Sequence, residues 1–553
     1  MRRVLILAVL LLMASAALPA RQAADSPARR LTALVERAAA VRPTRALASY
    51  AAAAASWRGI LDELKGVDRA ALGLDDQVDY DLLESHAKTR LYELDVLKTW
   101  ETDPVSYVSF GTTSNLFLRD GALPEGPVRA AIAELRGARA VFDAGRALLK
   151  NPARTWTDNA IVQCRYARLL VDESVPAAEV ADPALRKELL DAALEARAAI
   201  DQFSAWLQSD LLPRSTRSPA WRVEDINVYQ LGLEQLAPYD VDTMLKIAEQ
   251  EETQLTSEMT ALARQIHPSG DLVTVWEAMK AEAPPWEGVI PMAQRYVDWA
   301  TDWLHGKGSH VVTIPDYLDY GARLSPPMAR RTLSFGGATQ GPTVAGRQSG
   351  YYILTPLESW LTPAEKASRI KSYNPYWTHV ISYHEWLGHT VQIAAAQANV
   401  TRPMRKLFNS NYFSQSWSFY LEKLFEDEGY YDTLPHMEKL KTMMARRQMR
   451  MWRVERIITK IRMAKGTMTF DQSVQAYIDK MGMEPTNAFI EVQRDSQNPT
   501  SPGREIIGER VILELRADAK RQMGAHYSLK RFNDTLLTYG ALPFKQIRRL
   551  MLG

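Results

Sequence analysis

The sequence predicts a mainly helical, all-α fold with two lobes around a cleft and a small β-ribbon region near 306–356. Three observations carry this: apolar residues at helical spacing along most of the chain, proline-bearing breaks between those stretches, and one region where the period fails. Residues 186–207 place Ala193, Ala196, Ile200, Phe203 and Leu207 at alternating spacings of three and four, one apolar stripe. The same period runs through 28–65, 75–99, 126–150, 240–266, 363–396, 412–428, 437–464 and 505–522, with breaks such as Asp182-Pro183, Ala237-Pro238 and His267-Pro268. From Gly306 to Pro356 the pattern changes. Val311–Ile314 and Tyr351–Leu354 read as short strands, with the glycine-rich FGGATQGPTVAGRQSG between them. Such a strand offers an edge to which an extended peptide can add through main-chain hydrogen bonds; the plainer alternative is a ribbon capping a helical lobe.

At the N-terminus, Met1-Arg2-Arg3, the apolar run Val4–Leu12 and small residues to Ala20 form a secretory signal peptide over 1–20, cleaved after Ala16 or Ala20. The run is short for a bilayer span, no later segment is apolar enough to make one, and no cysteine near the cleavage zone offers a lipid anchor. The expectation is a periplasmic or secreted protein, free of the membrane once the signal is removed. Residues 21–553 are read as one helical domain, with its metal and cleft residues in 306–510. The lone Cys164 excludes an intrachain disulfide and leaves any metal site to histidine and carboxylate, which suits catalysis better than structure. Without Arg2 and Arg3 the chain carries 65 basic and 65 acidic residues, a balance that argues against a nucleic-acid partner.

The stretch His384-Glu385-Trp386-Leu387-Gly388-His389 is the strongest chemical signal. Two imidazoles about one turn apart can hold zinc, and a glutamate directly after the first can take a proton from water at the metal. The usual spacing of four sets the histidines about 40° apart around a helix, whereas five sets them about 140° apart. A π-bulge absorbs the extra residue, and Gly388 is the residue most tolerant of irregular backbone there. The plain alternative is a pair of buried, hydrogen-bonded structural histidines.

A mononuclear zinc site needs a third protein ligand, and 414–424 is the candidate helix. Gln415 and Glu422 lie two turns apart on one side of it, and either can point at the metal. Glu422 brings the charge zinc favours, Gln415 only a neutral amide oxygen; alternatively Glu422 is an exposed carboxylate beside Lys423. Further on, Arg494 precedes the turn Asn498–Gly503, before a helix beginning near Arg504-Glu505. Arg494 is a candidate for binding a substrate carboxylate or an oxyanion, or for a structural clamp.

At these residues the chain resembles the bacterial domain-of-unknown-function 885 family, predicted zinc peptidases, along nearly its whole length. YDLLESHAKTRLYELDVLKTWETDPVSY is similar to a family helix ending in a W-x-x-D-P-x-x-Y turn, and GERVILELRADAK with LKRFNDTLLTYGALP resembles the closing segment. The order of metal helix, E-G-W-A-L-Y-x-E helix and Arg-bearing turn is also reproduced. The resemblance implies an all-helical, gluzincin-like fold with a deep cleft, in the style of thimet oligopeptidase. Where the family reads H-E-x-x-P-G-H-H, this chain reads HEWLGHTV, similar to the H-E-x-x-G-H motif of dipeptidyl peptidase III, whose five-residue spacing binds zinc. The position resembling the third zinc ligand is Gln415, Glu422 matches a supporting glutamate, and Glu505 stands where a tyrosine is common. The last two changes suggest that Glu505 restores negative charge near the metal, with Gln415 a weak ligand or neighbour.

The expected function is therefore an exported zinc peptidase acting on short peptides, with His384, His389 and Gln415 as metal ligands, Glu422 or Glu505 supporting or substituting, and Glu385 and Arg494 catalytic. The alternatives are a zinc amidase or esterase acting on a small molecule, and a catalytically inactive peptide-binding relative, which Gln415 favours.

Overall fold

Prolines and polar caps set the helix ends. The structure, a computed structural model, describes residues 26–118, 121–228, 239–315, 318–331, 333–340, 348–392, 395, 399–408, 410–498 and 502–553. The 1–20 segment and Ala237-Pro238 lie outside them. Pro43 falls between α1 (Pro27–Ala40) and α2 (Leu47–Leu64), so the stretch 28–65 is two helices. Next comes α3 (Leu74–Tyr92), followed by a π-helical turn at Glu93–Leu97. The longer helices that follow are α4 (Glu125–Leu148), α5 (Arg154–Leu169), α6 (Pro183–Trp206), α7 (Val241–Ile266) and α8 (Trp286–His305). Asp182 starts α6 by accepting from the Ala184 amide at 2.8 Å, with Pro183 at the first helical position.

The stretch 363–396 also divides. A Thr362–Glu365 capping box opens α9 (Pro363–Lys371), and Asn374 opens α10 (Pro375–Tyr383) by accepting from the Trp377 amide at 3.0 Å. A π-helix, His384–Thr390, continues α10 directly. Beyond it lie α11 (Asn411–Asp427), α12 (His436–Ala464), α13 (Pro485–Ser496) and α14 (Ile506–Met523).

Within the span read as one domain, the chain packs as two compact units. The smaller combines the chain through Leu97 with Thr401–Asn409. Its helices bury Leu34, Trp57, Ile60, Leu82 and Leu83, and Arg402 and Arg405 both reach the buried Asp79, at 2.6 and 3.1 Å. The larger unit comprises Lys98–Val400 and Ser410–Leu552, and includes every candidate site residue. There Ala193, Ala196, Ile200, Phe203 and Leu207 are all buried in one apolar cluster, as their spacing predicts. Cys164 on α5 is buried in the same cluster.

The small β region lies where the sequence places it, within 306–356, but one of its two expected strands is replaced. Three strands, β1 (Leu318–Leu324), β2 (Gly336–Gln340) and β3 (Gln348–Leu354), form a sheet in the order β1-β3-β2, with β1 parallel and β2 antiparallel to β3. Tyr351–Leu354 is a strand, but Val311–Ile314 is not. The Thr313 amide and hydroxyl donate to Asp534 at 2.8 and 2.7 Å, and the Val311 carbonyl accepts from Asn533 at 2.8 Å, so side chains take groups a strand would pair. The glycine-rich segment supplies β2 instead. A Cβ on Gly336 would lie 2.3 Å from the Ile353 carbonyl oxygen, so only glycine allows this approach of β2 to β3.

Candidate metal centre

The π-helix brings together what an α-helix of this sequence separates. The Val391 amide bonds to the Trp386 carbonyl, five residues back, and residues five apart stack along one side. Trp386 pins the segment: its indole N–H donates to Thr301 on α8 at 2.8 Å, and its ring stacks on Tyr320 with centroids 4.1 Å apart. Gly388 has a different role from the one read in sequence. It is not among the glycines with left-handed backbone; a Cβ there would sit 2.7 Å from the Ser418 Cβ and Oγ and 2.8 Å from its Cα. The missing side chain lets α11 approach the π-helix.

That approach sets the histidines. The His384 and His389 rings lie with centroids 5.0 Å apart at 78°, and ligand atoms of His384, Glu385 and His389 lie within 4.8 Å of one another. Both Nδ1 atoms are engaged. His384 Nδ1–H donates to Glu422 Oε1 at 2.7 Å. The Ser418 hydroxyl donates to the Ser414 carbonyl at 3.1 Å, so its lone pair accepts from His389 Nδ1–H at 2.9 Å, with the Ser414 hydroxyl at 3.2 Å. This network assigns both protons to Nδ1 and leaves each Nε2 lone pair for another partner. Burial holds both imidazoles neutral, well below the ordinary histidine range; His384 and Arg453 lower His389 further, while Glu505 opposes.

Glu385 keeps a partly open face toward a cavity of about 370 Å³ lined also by His384, His389, Gln415, Arg494 and the β2 residues Gly336–Ala338. Burial pushes its carboxyl up to about 7, against the pull of Arg453, an Ala338 backbone hydrogen bond and Arg494. A carboxyl poised there can accept or release a proton near neutral pH.

The other candidates fall in three places. Gln415 faces the cavity beside the histidines. Glu422 is not the exposed carboxylate of the plain alternative: it is 1% exposed and orients His384. Burial raises its pKa, and its second oxygen has no hydrogen-bond partner among the described residues. Glu505 does not join the cluster of ligand atoms found among the described residues; Arg456 holds its carboxylate at 2.5 Å, although its charge still reaches both histidines. Arg494 lines the cavity and is clamped to Glu491 at 2.6 Å.

The sequence reading missed Ser414, Ser418 and Glu491, and three arginines of this wall, Arg453, Arg456 and Arg504. Glu491 is a buried hub, accepting from Ser334 at 2.6 Å, Arg456 at 3.0 Å and Trp452 at 3.1 Å besides Arg494. The available signal was spacing: Arg446, Arg450, Arg453, Arg456 and Lys460 recur at four, three, three and four, a cationic stripe along α12. Two neutral imidazoles with fixed Nδ1 partners and an adjoining carboxyl, largely buried, form a donor set of the kind that holds zinc.

The sequence profile of a family described as bacterial protein of unknown function (DUF885) matches residues 35–551. Two solved structures share the fold. One is designated a lipoprotein of unknown function from Shewanella oneidensis, at 18% identity and TM-score 0.69, covering 95% of this chain and 97% of that one. The other is designated a lipoprotein from Colwellia psychrerythraea, at 16% identity and TM-score 0.73, covering 95% and 98%. No curated protein matches the sequence significantly. Among the described residues, no helix is long and apolar enough to cross a membrane.

Proposed function

The chain belongs to the bacterial DUF885 family, and for it we propose a zinc-dependent peptidase that hydrolyses short peptides. One observation carries the reading: two buried imidazoles with engaged Nδ1 atoms converge with the Glu385 carboxylate, ligand atoms of all three lying within 4.8 Å of one another. His384 and His389 would hold the ion through Nε2, with Gln415 in the same cavity as the third donor. When bound, zinc supplies Lewis acidity, which polarises a carbonyl and acidifies water.

The protein's own groups do the rest. Glu422 and Ser418 fix the two rings in their tautomers. Glu385 takes a proton from the attacking water and returns it to the leaving amine nitrogen. The edge strand β2, with Ala338 bonded to Glu385, offers main-chain groups to an extended peptide. Arg494, steadied by Glu491, lines the same cavity and would stabilise the negative charge that develops on the carbonyl oxygen. Export is part of the same proposal, supported by the basic, apolar and small-residue order of residues 1–20 and by the lipoprotein designations of both structural relatives.

The test is metal analysis of the purified protein with mass-spectrometric detection of cleavage in a short-peptide mixture. The expected result is about one equivalent of zinc and cleavage that chelation abolishes. Binding of less than about a tenth of an equivalent sinks the proposal, and zinc binding without peptide cleavage removes the peptidase assignment.

A further inference from the structure

Four arginines line the cavity beside the histidines, and they divide into two pairs. Arg456 is held by Glu505 and Glu491, and Arg494 by Glu491. Arg453 and Arg504 make no ion pair with a carboxylate among the described residues, although they are only 5% and 8% exposed. Arg453 is fixed without a direct ion pair, with Glu422, Glu505 and Glu385 acting on its charge from a distance: it stacks over Trp452 at 4.3 Å, its Nη1 donates to the Met449 carbonyl at 3.2 Å, and its Nε has no partner. The Arg504 Nε is likewise buried without a partner. The Ser416 hydroxyl ties the Arg504 carbonyl to α11 at 2.7 Å, so the residue is anchored by its backbone while its side chain lines the cavity.

A guanidinium cannot shed its proton to relieve burial, and its forked donors match a planar oxyanion. Glu491 and Asp495 line the same cavity and disfavour a dianion, which leaves a singly charged carboxylate as the fitting ligand. We propose that Arg453 and Arg504 bind the C-terminal carboxylate of a short peptide, so that the bond cut lies within a residue or two of that terminus. The proposal rests on the peptidase reading for the cut, but not for the binding. Proximity supports it: the Arg453 charge acts on His384, His389 and Glu385, and the Arg504 charge on His389.

The experiment measures binding by calorimetry to the full chain carrying Glu385→Gln, which prevents turnover. Three probes are compared: N-acetyl-trialanine acid, its C-terminal amide, and the amide with a central glutamate. The expected result is at least about tenfold tighter binding of the acid than of its amide, with the preference falling to about twofold or less in Arg453→Gln and Arg504→Gln. Arg504→Lys, which keeps the charge, should retain part of it. Binding of the glutamate-bearing amide as tight as that of the acid overturns the assignment to the C-terminus, since a side-chain carboxylate then serves equally well. Equal affinity for acid and amide, no binding at millimolar concentration, or a preference that survives both substitutions in folded protein overturns the proposal. Acid preference without zinc or turnover leaves the carboxylate site standing while the hydrolase reading fails; turnover without acid preference does the reverse.

Discussion

Two cavities flank α12, and both have arginine in their walls. The first, of about 340 Å³, sets Arg446, Arg447 and Arg450 against Glu251, Glu258, Glu426 and Glu509. Every one of these guanidinium groups is paired: Arg446 and Arg447 with Glu426, Arg447 also with Glu258 at 2.8 Å, and Arg450 with Glu251 and Glu509, each at 2.5 Å. The second, at the histidine pair, leaves Arg453 and Arg504 without a direct ion pair among the described residues, although Glu422, Glu505 and Glu385 act on Arg453 from a distance and Glu505 on Arg504. Arginine content does not distinguish the two cavities. What does is whether a carboxylate of the protein pairs directly with the guanidinium or leaves its donors to a ligand.

If chemistry belongs to the second cavity alone, charge removal there should be the larger effect on activity. Glu385→Gln is expected to lower peptide turnover by about 10²–10⁴-fold at unchanged zinc content, the range for loss of a general base. Glu258→Gln in the first cavity should leave turnover within about twofold. Comparable losses in both variants, by steady-state kinetics, would erase the distinction between the cavities.

Stability should respond in the opposite sense. Glu509 is 2% exposed and holds Arg450. Glu509→Ala is expected to cost about 2–3 kcal/mol in denaturant unfolding, below the full penalty for breaking a buried pair because Arg450 retains Glu251. Arg504→Gln removes an unpaired buried charge and should change stability by about 1 kcal/mol or less. A larger loss in Arg504→Gln would mean that Arg504 is already paired in the folded state.

A smaller effect sharpens the contrast between the two histidines. His384 leans on a carboxylate and His389 on hydroxyls. Glu422→Gln is expected to weaken zinc affinity by about 10–100-fold, the range for a lost outer partner of a metal-binding histidine. Ser418→Ala should cost less, because the Ser414 hydroxyl at 3.2 Å remains. Competitive zinc titration with a chromophoric chelator separates the two, and equal losses would show that the carboxylate charge contributes nothing extra.

Much of this was legible because local chemistry set it. The stripe on 186–207 reports the buried face of α6, and the spacing of five between His384 and His389 matches the underwound backbone that the π-helix provides. What was not legible depends on distant neighbours. Val311–Ile314 has strand composition, yet Asn533 and Asp534, more than two hundred residues away, take its backbone groups. Gly388 looked like a concession to irregular backbone because Ser418, its actual constraint, lies on another helix. The α12 arginines resemble a solvated charge run in sequence, and packing from distant helices, α7 and α10 foremost, buries them.

The same helix contains the acidic counterpart of Arg453, and it yields an effect that depends on pH. Glu455 is 2% exposed and makes no ion pair among the described residues. Burial pushes its carboxyl up to about 7, reinforced by Glu252 and opposed by Lys480 and Arg462. An unpaired carboxyl can thus neutralise itself by keeping its proton, the recourse a guanidinium lacks. Because the folded pKa lies above the unfolded value of 4.5, the native state binds the extra proton between those limits. Stability should therefore fall as pH rises from 4.5 to 7, with the penalty complete above 7. Glu455→Gln mimics the protonated form, so it should remove this slope and stabilise the protein by about 1–2 kcal/mol at pH 8, less than the full linkage because the buried amide has its own desolvation cost. Urea unfolding of both proteins at pH 5 and pH 8 measures the difference. A gap between them that does not widen at pH 8 would mean that Glu455 is ionised and paired, and that α12 leaves only cations without partners.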